Sequence, residues 1–131
     1  MFETLIQKLQ EDKFLTLETT PQHEPSMHNI IERIKKFKLQ DRVDGFSCTD
    51  NPLAKLKYNA LFASLKLQQE FKKPVIATMT MRDRNKIALQ SDLVGANDFD
   101  VRAILALTGD PANMSDQPNS KGVFEANPFM L

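Results

Sequence analysis

The chain has 131 residues, 41% of them hydrophobic and 26% charged, which suits one globular domain and excludes collagen-like, disordered and coiled-coil chains. Seventeen basic residues balance seventeen acidic ones, so the positive footprint of a protein that works on nucleic acid or anionic lipid is missing. Cys48 is the only cysteine, which excludes an internal disulfide and fits a reducing compartment.

The first residues, MFETLIQKLQED, mix acids with bases and lack the apolar run of a signal peptide or membrane span. A cytoplasmic protein with no membrane partner is the expectation. Phe2, Leu5, Ile6 and Leu9 form one stripe of a short amphipathic helix. Phe14 to Leu17 reads as a buried strand, ended by Thr19-Thr20-Pro21. Ser26 can cap a second helix with the stripe Ile30, Ile31, Ile34 and Phe37. Val43 to Cys48 reads as a second strand. Asn51-Pro52 then supplies a cap and a first-turn proline, which predicts a helix carrying Tyr58, Leu61, Phe62 and Leu65 on one face. Val75 to Met81 is a third strand, and Asp83 or Asn85 can start the helix that runs through Leu89, Leu93 and Ala96. Ala103 to Leu107 is a fourth strand, leading into Thr108-Gly109-Asp110-Pro111. Residues 112–122 read as a polar loop, and Asn127-Pro128 offers one more cap and first-turn proline.

Strands that begin near residues 14, 43, 75 and 102 alternate with helices at about 30 residues per unit, the mark of parallel strands joined by crossover helices. Their continuous apolar runs predict burial on both faces. The class is α/β, and a doubly wound sheet and a (β/α)8 barrel both fit the spacing. The chain stops three residues beyond Pro128, within a nucleated helical turn. Four units make half of a roughly 250-residue barrel. The expectation is therefore a single unit, 1–131, forming the N-terminal half of a (β/α)8 TIM barrel.

In such a barrel the loops after the strands share one mouth. Here they hold Glu18-Thr19-Thr20, Thr49-Asp50-Asn51, Arg82-Asp83-Arg84-Asn85 and Thr108-Gly109-Asp110. Glu18 follows an apolar strand, where desolvation would suit it to general-acid work; a rim carboxylate paired with Arg82 or Arg84 is the alternative. Asp110 in Gly-Asp-Pro is also ordinary turn chemistry. His23 and His28, five residues apart, lack metal-ligand spacing, and no metal is expected. The run Arg33, Lys35, Lys36 and Lys38 reads as the solvated face of its helix. No G-x-G-x-x-G or phosphate-binding P-loop occurs.

Four segments, LETTP (17–21), TDNPLA (49–54), TMTMRDRNKIALQSDLVGA (78–96) and AILALTGDPA (103–112), resemble the methylenetetrahydrofolate reductase family. The likeness is nearest to the branch in which some members are fused to a homocysteine methyltransferase domain. It implies a flavin-dependent barrel in which NAD(P)H reduces bound FAD, with FMN as the alternative. Hydride then passes to 5,10-methylenetetrahydrofolate, giving 5-methyltetrahydrofolate for one-carbon metabolism and methionine biosynthesis. By the same resemblance Glu18 is the general acid that opens the folate ring, and Asp110 lies beside the flavin and helps to hold folate. Thr49, Asp50, Thr78, Thr108 and Gly109 would line the cofactor. Thr78 and Thr108 stand where many members carry His and Arg. The implied partners are a folate and a nicotinamide nucleotide, with either a homo-oligomer or a C-terminal half completing the barrel. The other reading is a non-catalytic half-barrel that binds flavin or folate or pairs with another subunit, motivated by the open edge a fourth strand would expose.

Overall fold

The computed structural model describes residues 1–131. Its main elements are α1 (Phe2–Glu11), β1 (Thr16–Thr19), α2 (His28–Lys36), β2 (Gly45–Cys48), α3 (Ala60–Phe71), β3 (Val75–Thr80), α4 (Lys86–Asp98) and β4 (Ala103–Leu107). The strands form one parallel sheet in the order β1-β2-β3-β4, with Glu18 beside Ser47, Ser47 beside Ile76 and Ile76 beside Ala103.

That order decides between the two architectures open at the sequence level. A doubly wound sheet reverses its strand order partway and carries helices on both faces. Here every crossover steps the same way, and α2, α3 and α4 all cover one face. Side chains alternate along a strand. Leu17, Phe46, Cys48 and Val75 point into a core with Met27, Ile34, Ala63 and Leu67. Ala77 meets Ala96 and Val101, and Met79 meets Leu89, on the same side. Each large side chain buried there contributes roughly 1.5–3 kcal/mol. A singly wound wall of this kind is a segment of a barrel.

The opposite face carries Thr16, Glu18, Ser47, Ile76, Thr78, Thr80, Leu105 and Leu107. Leu105 and Leu107 remain 49% and 44% exposed. The expected burial on both faces is thus met in full on one face only. On the other, Thr78 and Thr80 of β3 are buried, while Glu18 on β1 and Leu105 and Leu107 on β4 are exposed, since no helix lies over that side. Helix α1 sits at the end where the strands begin. Its Lys8 pairs with Asp44 just before β2, and Asp100 just before β4 accepts from the Phe2 backbone N–H at 3.1 Å. Asp44 also accepts from the Leu15 N–H at 2.8 Å, a bond that holds its carboxyl below the usual aspartate range.

Several predicted boundaries shift. β1 begins at Thr16, so Glu18 stands within the strand rather than in the loop beyond it. No helix starts at Asn51-Pro52. Pro52–Ala54 forms a single 3-10 turn in which Leu53 and Ala54 have φ of 57° and 56°, a left-handed backbone that cannot continue a right-handed helix. The helix begins at Ala60, where the Asn59 side chain accepts from the Phe62 N–H at 3.1 Å. Tyr58 therefore precedes it and Phe62 is exposed, while Ala60, Ala63, Ser64 and Leu67 are buried. Helix α3 is apolar around much of its circumference, so periodicity misjudged its inner face; the small residues Ala63 and Ser64 let it lie close on β2 and β3. Asn85, not Asp83, caps α4, accepting from the Ala88 N–H at 3.0 Å. Ser26 accepts from the His28 N–H at 3.0 Å, and Phe37 falls one residue beyond α2, largely exposed. Asn127 accepts from the Phe129 N–H, capping a 3-10 turn at Pro128–Met130.

Candidate active site

The loops after β2, β3 and β4 converge at the C-terminal end of the sheet, where parallel barrels assemble their sites. Asp50, two residues beyond β2, reaches across to β3. One of its oxygens, Oδ2, accepts from the Thr80 backbone N–H at 2.9 Å and from Thr80 Oγ1 at 3.0 Å. Burial pushes the Asp50 carboxyl above the ordinary aspartate value, with Asp83 adding to the rise; the Thr80 hydrogen bonds and the Arg82 charge oppose it.

Arg82 follows β3 by two residues, and its side chain is only 2% exposed. Its Nη1 donates to the Asp110 carbonyl at 3.2 Å and its Nη2 to the Asn51 carbonyl at 3.3 Å. Nε and Nη2 also grip the Asp83 carboxylate at 2.8 and 2.6 Å. That hydrogen-bonded carboxylate raises the guanidinium pKa further, so the charge is permanent. Asp110 in turn accepts from the Leu53 N–H through Oδ2 at 2.7 Å. Gly109 makes this closure possible. It has φ of +94°, and a Cβ there would come within 3.0 Å of the Thr80 Cβ and 3.2 Å of the Arg82 Cβ.

The turn that Asp110 and Arg82 hold is strained. Asn51, Leu53 and Ala54 have φ of 43°, 57° and 56°, each costing on the order of 1 kcal/mol for a residue with a Cβ. The Asn51 side chain accepts from the Lys57 N–H at 2.8 Å and closes the loop on itself. A polar cleft of about 220 Å³ lies alongside, bordered by Asn51, Arg82, Asp83, Ser115, Gln117 and Ser120.

The structure brings Asp50, Gly109 and Asp110 into one bonded shelf. Thr49 sits at its inner end, where its N–H donates to the Thr19 carbonyl at 3.0 Å while its buried Oγ1 has no partner. Thr78 is buried on the uncovered face of β3, two residues below Thr80. Thr108 is exposed, with its carbonyl accepting from the Met81 N–H. Glu18 stands apart. Its side chain is exposed, so the desolvation expected from the apolar strand before it is absent: it points to the face that no helix covers. The alternative pairing with an arginine is absent too, because Arg82 binds Asp83 and Arg84 binds Asp92. Arg82 and Thr80 complete the bonded shelf, and the sequence does not single them out as site residues. The alternation along β3 places Thr80 on the Thr78 face, but nothing in the order RDRN tells a bridging arginine from a solvated one.

The family model described as methylenetetrahydrofolate reductase matches residues 2–128. The chain belongs to the methylenetetrahydrofolate reductase family. No curated protein matches it. Members of the family are TIM barrels and oxidoreductases, and the four parallel units seen here are part of such a barrel. The family is generally flavin-dependent, and its reaction implies binding of a folate. No helix of the chain is long and apolar enough to cross a membrane.

Proposed function

We propose that the chain carries the strand-one to strand-four part of a reductase site that converts 5,10-methylenetetrahydrofolate to 5-methyltetrahydrofolate, with FAD or FMN as the bound flavin and NAD(P)H as reductant. The observation that carries this reading is the family match across residues 2–128. The unpartnered Thr49 hydroxyl supports it. A buried polar atom without a partner is costly, and a ligand edge rich in N–H and C=O groups would satisfy it. A bound flavin supplies hydride transfer between the nicotinamide and the folate. Thr49, Asp50, Thr78, Thr108 and Gly109 are the residues proposed to hold it.

The remaining work falls to the chain's own side chains. Asp110 has one oxygen committed to Leu53, which leaves Oδ1 to accept from a donor on folate. Glu18, once covered by the rest of the barrel, is the carboxyl placed to deliver a proton to the folate nitrogen that leaves when the five-membered ring opens. Its present exposure calls for a covering layer, and the open edges of β1 and β4 accept further strands. We therefore read residues 1–131 as the N-terminal half of the barrel, completed by further βα units of a longer chain or by a second copy. A cytoplasmic site in one-carbon metabolism and methionine biosynthesis accords with this reading.

Glu18→Gln in the assembled reductase tests the assignment. Folate reduction should fall by at least 100-fold, while oxidation of NAD(P)H by an artificial acceptor stays within about twofold. Undiminished folate turnover would remove Glu18 from the mechanism.

A further inference from the structure

We propose that Arg82 is a positioning residue: its buried guanidinium locks the loops after β2 and β4 together and thereby fixes where the Asp110 carboxylate stands. The proposal rests on the reductase reading for the role of Asp110, although the locking itself does not.

Three observations converge. First, Arg82 spends its fork on the backbone of two different loops, the Asn51 carbonyl after β2 and the Asp110 carbonyl after β4. A carbonyl carries no sequence information, so these contacts fix the path of the chain. Second, the Asp83 carboxylate takes Nε and Nη2 in a side-on grip that sets the guanidinium plane. Third, the Asn51–Ala54 turn is left-handed at three residues with side chains, and such a turn persists only when its surroundings over-determine it. The Arg82 bond to Asn51 and the Asp110 bond to Leu53 are the two long-range restraints on that turn. They act as a pair. Release of Arg82 frees both the turn that offers the Leu53 N–H and the backbone that carries Asp110.

A lysine cannot substitute. Its ammonium is a point donor on a flexible stem, whereas the guanidinium reaches two carbonyls and a carboxylate from one fixed plane. The buried position also matters, since the bonds gain from a low local dielectric and from the absence of competing water. Arg84, from the same RDRN run, serves as the control: it pairs with Asp92 of α4 and touches neither loop.

Residue-resolved amide hydrogen exchange on the 131-residue chain tests the lock without any ligand. In Arg82→Met and in Arg82→Lys the Leu53 amide should exchange at least tenfold faster, while the Leu89 amide inside α4 keeps its rate. Arg84→Met should change neither. Unchanged Leu53 exchange in the Arg82 variants overturns the proposal, and so does an equal acceleration of Leu53 and Leu89, which would mark a general loss of stability. A second readout addresses the consequence for chemistry. In flavin-loaded protein, Arg82→Lys should move the flavin midpoint potential in the same direction as Asp110→Asn. An unmoved potential overturns the link to Asp110. If the parent chain takes up no flavin even when its barrel is complete, the reductase reading fails, and the exchange result still decides the lock.

Discussion

The two faces of one sheet behave as different materials. Phe46, Cys48, Ala77 and Met79 lie at 0–3% exposure beneath three helices, whereas Leu105 and Leu107, on strands of the same sheet, are almost half exposed. The side chains differ as well: the covered face is largely apolar, whereas the open face is mostly polar along β1 to β3 and apolar chiefly on β4. The difference in cover comes from the intervening segments. Each crossover helix returns on the same side, which covers one face completely and leaves the other to whatever completes the wall. The covered face holds the fold together; the open face and its C-terminal rim carry the residues of the proposed site.

Stability measurements can break this comparison. Phe46→Ala should cost about 3–5 kcal/mol in urea unfolding, as expected for a large side chain removed from a filled core. Leu105→Ala on the open face should cost less than about 1 kcal/mol in the 131-residue chain. Equal costs would mean that the second face is covered in solution, and repeating the pair in a completed barrel should bring the Leu105 cost up toward the core value. A smaller effect belongs to the helix that seats Met79. Asn85→Ala removes the acceptor for the Ala88 N–H and should cost about 1 kcal/mol, which would confirm that the α4 boundary is set by Asn85 rather than Asp83.

The smallest effect sharpens the picture of the rim. Asp50 has its pKa raised by burial, so the folded protein keeps this proton over a range in which the unfolded chain has lost it. Stability then falls as pH rises from the ordinary aspartate value, about 4, through the folded pKa, and is level above it. Asp50→Asn retains an oxygen for both Thr80 donors and should flatten that part of the stability profile. A profile that keeps its fall would assign the titration to another group.

Much of the architecture was legible in the residues. Strand Ala103–Leu107 and the α4 helix follow from apolar patterning and a cap, because both are local properties. The TDNPLA segment misled for a physical reason. Asn-Pro ordinarily opens a helix, yet here the turn is forced left-handed by bonds from Arg82 and Asp110, which lie 31 and 57 residues away from their acceptor and donor. Glu18 reads from the sequence as a loop residue just after the first strand but lies within β1, and its surroundings depend on a layer that local pattern cannot supply.

The sequence by itself determined the alternation of strands and helices, the parallel class, the family and the polar character of each strand-end loop, since these depend on near neighbours and on motif. Only the tertiary structure decided that the sheet winds in one direction, that one face has no helix over it, and that Arg82 rather than any carboxylate is the centre of the rim. Those outcomes are set by where separate segments meet in space, and a hydrogen bond across three loops leaves no local mark on the residues that make it.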